Sequence, residues 1–133
     1  MKSTPQCLID TAARIPESPA YFVRGPEAWE PTCWRGLLGE VQAAGRALIA
    51  LGVQPGQTVC ILGFNRPEWL IMDHAAMMVG ATAAGIYWTS AAPEVAYILE
   101  HSKAPLLLVE DGAQMAKLAG PRPTVVAMRG EPL

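Results

Sequence analysis

The stretch Gln57–Trp88 decides the fold: QTVCILGFNRPEWLIMDHAAMMVGATAAGIYW. Its first part, Thr58–Leu62, is a short apolar run of β-forming residues, which is typical of a buried strand. A proline opens the predicted helix Pro67–Val79, where its missing N–H costs nothing, and Gly80 ends that helix. Thr82–Trp88 is predicted to form a second strand. A strand, a helix and a strand with short connections form a βαβ unit, which predicts a parallel sheet with the first strand at its centre.

The rest of the chain surrounds this unit with further helices and strands. Thr4 and Thr32 are suitable N-caps for a first helix and for the longest one, Cys33–Leu51, whose apolar residues recur at the helical period. A Gly-Pro-Glu turn between two short runs predicts a hairpin. The other expected elements are strands at Ala20–Arg24, Ala28–Pro31, Leu106–Val109 and Thr124–Met128, a helix at Pro93–Ser102, and a short helix capped by Asp111 that reaches Ala119. This alternation indicates a single domain over residues 1–133, a doubly wound, mostly parallel α/β sheet flanked by helices, with a short N-terminal hairpin.

Composition excludes several classes of protein. Hydrophobic residues make up 51% of the 133 residues, which excludes a disordered chain and suffices for a buried core. The net charge of −2 gives no electrostatic reason to bind nucleic acid, and no apolar run approaches the length of a membrane span. The N-terminus lacks the apolar core of a signal peptide. Cys7, Cys33 and Cys60 are odd in number and widely spaced, which is typical of reduced thiols and favours a cytoplasmic location.

Three segments are similar to motifs of one enzyme family. Leu62–Trp69, LGFNRPEW, resembles a segment of long-chain acyl-CoA synthetases, most closely those of the bubblegum type. Met77–Tyr87 is similar to the motif that follows it in adenylate-forming, AMP-binding enzymes. Thr32–Leu38 resembles the family's first core motif, although Gly36 stands where the family usually has Glu. The resemblance extends over Thr4–Ala127 and implies the N-terminal portion of such a synthetase, truncated before the catalytic motifs.

The resemblance also implies cofactors, and the sequence lacks the motifs that hold them. The family activates a fatty acid with ATP and Mg²⁺ through an acyl-adenylate and then transfers the acyl group to CoA. Its phosphate loop of glycines and hydroxyl residues does not occur here, and neither does its Tyr-Gly-x-Thr-Glu motif. Lys2, Lys103 and Lys117 match no catalytic lysine motif. We therefore expect no catalytic residue, no metal site and no cofactor in this chain, and no adenylation by the chain alone.

Candidates for substrate contacts lie around the turn Gly63–Arg66. The turn follows a strand and precedes a helix, where ligands of open α/β sheets bind, so that Arg66 and the helix N-terminus are a candidate anion site. One glycine falls short of the three in a dinucleotide fingerprint, and a structural turn is the simpler interpretation. Trp69, Tyr87 and Trp88 either line an acyl groove in a complete enzyme or pack within the domain.

Three hypotheses about function follow. The first is a truncated or fragmentary long-chain fatty acid–CoA ligase (AMP-forming). The alternative is a stand-alone interaction protein that uses the fold as a scaffold and pairs with itself or with a full-length synthetase. A third is a small nucleotide-binding domain that works through the turn. A surface that a larger remainder would cover should be apolar, which predicts a homo-oligomer or association with the rest of a synthetase. Candidates for that surface are Trp69, Ile86, Tyr87, Trp88 and the strands Leu106–Val109 and Thr124–Met128.

Overall fold

The computed structural model describes residues 2–120 and 122–128. A two-stranded antiparallel hairpin, β1–β2, precedes a parallel sheet of four strands in the order β4-β3-β5-β6. Strand β3 is an inner strand of this sheet, as the βαβ pattern predicts, and the α/β architecture with a parallel sheet and a short hairpin is confirmed. In chain order the elements are α1 (Thr4–Arg14), β1 (Pro19–Arg24), β2 (Trp29–Cys33), α2 (Trp34–Ala50), β3 (Thr58–Leu62), α3 (Pro67–Met78), β4 (Thr82–Ile86), α4 (Ala92–Ser102), β5 (Leu106–Val109), α5 (Gly112–Met115) and β6 (Thr124–Ala127).

The inner strands send alternate side chains into two apolar layers. Val59 and Ile61 of β3 pack in the layer that contains α1, α2 and α3. Cys60 and Leu62, the residues between and after them, pack in the second layer with Val95 of α4. Helices therefore cover both faces of the sheet, which is the doubly wound arrangement. Because both faces are buried, the inner strands have continuous apolar sequences instead of alternating ones.

The two N-terminal helix caps each lie one residue away from the predicted position. Ser3, not Thr4, caps α1 with its hydroxyl. The predicted cap of α2, Thr32, belongs to β2, where it pairs with Tyr21 of β1. The Sγ atom of Cys33 instead accepts the backbone N–H of Gly36 at 3.4 Å. A cap needs an acceptor on the residue just outside the first helical turn, so extending the strand by two residues moves the cap to the thiol.

Two predicted elements are longer than the observed ones, and part of the predicted apolar surface is buried. Strand β4 ends at Ile86, so Tyr87 and Trp88 belong to the loop that follows it, and α5 ends well before Ala119. Ile86 is only 2% exposed, and every residue of β5 is buried because the two apolar layers cover both faces of this inner strand. These residues are not available for an external surface.

Within residues 2–120 and 122–128, the helices are too short or too polar to cross a bilayer.

Candidate functional site

The carboxyl edge of the sheet opens between β3 and β4. Helix α3 follows β3 onto one face of the sheet, and α4 follows β4 onto the other. Ligands of open α/β sheets bind outside the carboxyl ends of the strands. A cavity of about 540 Å³ occupies this position. Its lining consists of the turn after β3, one helical residue, and the end of β4 with the loop beyond it: Gly63, Phe64, Asn65, Trp69, Gly85, Ile86, Tyr87 and Trp88.

The wall of this crevice is aromatic. Phe64 and Trp88 stack on each other with ring centroids 4.3 Å apart and an interplanar angle of 26°. The indole ring of Trp69 lies against the backbone of Gly85, where an added Cβ would be only 2.8 Å from its Cζ2 atom. Residue 85 must therefore be glycine for the ring to lie there. The structure thus brings the three aromatic candidates Trp69, Tyr87 and Trp88 together and adds Phe64 to them.

A buried carboxylate holds the turn after β3. Glu110, which follows β5 and is 8% exposed, accepts the backbone N–H of Phe64 with Oε2 at 2.7 Å. Its Oε1 atom lies 3.4 Å from Nη1 of Arg66. An added Cβ at Gly63 would come within 2.8 Å of the Glu110 Cβ, which shows how closely the two chain segments approach. The carboxylate occupies the position that an external anion would take between a free N–H and a guanidinium group.

The charge of Arg66 is shared between two carboxylates of the protein. Its Nε atom lies 3.5 Å from Glu68, the acidic residue in the first turn of α3, in addition to the contact with Glu110. Arg66 lines a second cavity, between the hairpin and α3, and does not line the aromatic crevice. A phosphate that used this N–H and this guanidinium nitrogen would compete with Glu110. The structure therefore brings Arg66 beside an internal anion and separates it from the three predicted aromatic residues.

Lysine and cysteine side chains support the surrounding structure. Lys117 donates a hydrogen bond to the carbonyl oxygen of Trp88 and so ties the loop after β4 to the chain that follows α5. Cys60 is fully buried, with its Sγ atom 3.5 Å from the hydroxyl of Ser102. Burial raises the pKa of Cys60, and the contact with Ser102 offsets this only in part, so the thiol stays protonated at neutral pH. Among the described residues, no three His, Cys, Asp or Glu side chains lie close enough together to bind a metal ion.

Glu110 and Phe64 are the parts of the site that sequence reasoning missed. Glu110 directly follows a buried strand, as Gly63 does after β3. The carboxyl ends of adjacent parallel strands lie side by side, so a charged residue just after one strand can reach the turn after its neighbour. To predict this contact from the sequence, one must know that β5 pairs with β3. The local sequence pattern does not reveal that pairing.

The fold defines a doubly wound α/β domain with an aromatic crevice at the carboxyl edge of its parallel sheet. A family model described as "AMP-binding enzyme" matches residues 8–131. The chain belongs to this AMP-binding enzyme family, as the three sequence motifs imply.

Relatives of known activity are long-chain fatty acid ligases. The chain is 32% identical over 114 residues to the human long-chain-fatty-acid–CoA ligase ACSBG2, a match that covers 86% of this chain and 17% of that protein. It is 36% identical over 101 residues to the long-chain-fatty-acid–CoA ligase FadD15 of Mycobacterium bovis, covering 76% of this chain and 17% of that protein. The chain thus spans about a sixth of the length of these relatives.

Solved structures with the same fold come from adenylate-forming proteins. Klebsiella oxytoca NpsA in complex with 3-hydroxyanthranilyl-AMSN superimposes with a TM-score of 0.82 at 21% identity, covering 97% of this chain and 25% of that one. The separate N-terminal subdomain of NpsA gives a TM-score of 0.81 at 20% identity, with 96% of this chain and 31% of that one covered. A fatty acyl-adenylate ligase from L. pneumophila gives 0.80 at 18% identity, with 95% and 23% covered. At these identities the likeness establishes the fold.

Proposed function

We propose that this chain, as one domain over residues 1–133, is the N-terminal portion of an AMP-forming long-chain fatty acid–CoA ligase and does not form an acyl-adenylate by itself. Its membership of the AMP-binding family and its identity with two long-chain ligases support the substrate class. The complete reaction uses ATP, Mg²⁺ and CoA, which we assign to the part of the relatives that has no counterpart in this chain. The contribution of the chain is structural, because it provides the strands and the crevice against which the remainder packs.

The residues present do not fit ATP or Mg²⁺. The observation that carries this proposal is the state of the turn after β3, whose N–H donor and guanidinium group already bind Glu110. No glycine-rich phosphate loop occurs elsewhere in the sequence. A triphosphate needs several backbone N–H groups and a counter-charge that converge on its oxygens. Among the residues that the structure describes, no three His, Cys, Asp or Glu side chains are grouped so as to hold magnesium.

Pyrophosphate release tests the proposal directly. The purified chain, at high micromolar concentration with palmitate, ATP and Mg²⁺, should release no pyrophosphate above a control without fatty acid. FadD15 of Mycobacterium bovis serves as the positive control in the same assay. Fatty-acid-dependent release that co-elutes with the chain through two chromatography steps would contradict the proposal. Release that separates from the chain would come from a contaminating ligase.

A second candidate function is a stand-alone interaction protein built on the same scaffold. The exposed rings around the crevice favour it, because Tyr87 is 81% exposed and Trp88 is 43% exposed. The coding sequence beyond Leu133 separates the two functions. Continuation into a glycine- and hydroxyl-rich phosphate loop, in the same frame or in an adjoining gene, supports the ligase, and an unrelated gene supports the interaction protein. In either role we place the protein in the cytoplasm, where its unpaired thiols Cys7, Cys33 and Cys60 stay reduced.

A further inference from the structure

All exposed aromatic rings of the described residues lie along one band of the surface. The band, called here the aromatic belt, runs from the hairpin across the carboxyl edge of the sheet to α4. Aromatic side chains are enriched at protein interfaces, and Trp and Tyr are over-represented among the few residues that contribute most of the binding energy there. The belt consists of Phe22 and Trp29 on the hairpin, Phe64 and Trp88 at the crevice, Tyr87 at its mouth and Tyr97 on α4.

The belt is continuous because its three grooves share lining residues. The groove between the hairpin and α3 and the aromatic crevice are about 540 Å³ each, and Asn65 lines both. The third groove, of about 800 Å³, lies at the start of α4 and shares Tyr87 with the crevice. Protruding rings and open grooves therefore alternate along one face. A two-fold symmetric interface needs this combination, since one and the same surface must supply both the knobs and the holes.

The size of the belt suits a dimer. Its six rings are between 43% and 81% exposed. A buried aromatic side chain covers about 150–250 Å², so these rings alone offer on the order of 500–850 Å² of surface. A standard protein interface buries about 800 Å² on each partner. Aromatic surface alone thus approaches the amount that a stable dimer requires, while the net charge of −2 gives little repulsion between copies.

Charges at the two ends of the belt are complementary. Arg24 lines the first groove, where its guanidinium lies 5.8 Å from the ring centroid of Trp29. Glu94 lines the third groove, at the opposite end, with one carboxylate oxygen accepting the N–H of Ala91 at 2.9 Å. Two belts that meet antiparallel about a two-fold axis bring Arg24 of each copy to Glu94 of the other.

We propose that the aromatic belt is the interface of a symmetric dimer in which two copies of this chain pack antiparallel, with Arg24 opposite Glu94. This dimer rests on the second candidate function, the stand-alone interaction protein, because the remainder of a ligase would pack against the same crevice. The interface buries the exposed rings of both copies. It also forms two ion pairs, each between Arg24 of one copy and Glu94 of the other.

Sedimentation across a concentration series measures the dimer and its dissociation constant. The wild-type chain should sediment as a dimer in the micromolar range. Replacement of Tyr87 by Ser should weaken the dimer at least about tenfold, since it removes the most exposed ring of the belt. The matched control is Ile49→Ser, which removes a side chain that is 62% exposed but lies on α2, away from the belt, and it should leave the dissociation constant unchanged. Circular dichroism confirms that both variants are folded.

Charge reversal tests the antiparallel arrangement itself. Arg24→Glu and Glu94→Arg should each weaken self-association about fivefold or more, because each places two pairs of like charges across the axis. An equimolar mixture of the two variants should regain the wild-type affinity, since the mixed dimer pairs opposite charges at both ends. A wild-type chain that remains a monomer at high micromolar concentration overturns the proposal, and so does a dimer that Ile49→Ser weakens as much as Tyr87→Ser. A mixture that stays as weak as its components overturns the antiparallel pairing.

Discussion

Replacement of Glu110 by Ala tests how the turn after β3 is held. A hydrogen bond to a charged group contributes about 1.5–3 kcal/mol. The 2.7 Å bond from the N–H of Phe64 belongs to this class, and Glu110 is shielded from solvent at 8% exposure. The contact with Arg66 adds little, because it is 3.4 Å long and the arginine side chain, 31% exposed, retains Glu68. We expect the substitution to lower the free energy of unfolding by about 2–3 kcal/mol.

Urea denaturation, followed by circular dichroism, provides the measurement. Glu100→Ala is the matched control, because it removes an exposed carboxylate from α4 and should change the stability by less than about 0.5 kcal/mol. Glu110→Gln keeps an acceptor for Phe64 but loses the charge, and should cost about 1 kcal/mol. Hydrogen exchange of the Phe64 amide should accelerate in Glu110→Ala. Equal stability of the Glu110→Ala and Glu100→Ala variants, with that amide still protected, would refute the reasoning.

Three further predictions concern packing and a buried thiol. Gly85→Ala should lower the stability by about 1–3 kcal/mol in thermal unfolding because its Cβ meets the ring of Trp69, whereas Gly39→Ala, in a helix with nothing within 4 Å, should raise it by about 0.5–1 kcal/mol. Leu48→Ala removes a side chain that is 1% exposed and should cost about 2–5 kcal/mol in urea; a loss below about 1 kcal/mol contradicts the assigned core. Because burial raises the pKa of Cys60, the unfolded chain ionises this thiol first, so stability should fall as the pH rises above about 8.5 and level off above the folded pKa. Denaturation at a series of pH values should show a smaller decline for Cys60→Ala.

The central βαβ unit could be predicted because its signals are local. Strand Thr58–Leu62 was predicted with both ends correct, since a run of apolar β-formers is bounded by polar and glycine residues. Proline at the start and glycine after the end defined α3 to within one residue. The caps of α1 and α2 were less predictable, because neighbouring residues with hydroxyl or thiol groups compete for one position. That choice depends on where the preceding strand or turn leaves the chain.

The candidate site was predictable only in part. Trp69, Tyr87 and Trp88 lie on or next to elements whose positions the sequence indicates, so their proximity at the carboxyl edge follows from the βαβ unit. The partnership of Arg66 with Glu110 depends on β5 lying beside β3, a long-range pairing that local periodicity does not encode. The exposure of Tyr87 and Trp88 likewise follows from where β4 stops, and element ends are the least predictable part of a sequence pattern.

The strand order has a consequence for how the chain assembles during synthesis. Each strand of the parallel sheet docks beside a strand that is already present: β4 and β5 on the two sides of β3, and β6 on β5. The first strand, β3, pairs with β4 soon after both are made, but its other edge has no partner until β5 is translated. The cost of closing each intervening loop grows only with the logarithm of its length. The sheet can therefore grow from its N-terminal strand outward as the ribosome delivers it, and the edge of β3 that later receives β5 is the one exposed longest to pairing with other chains.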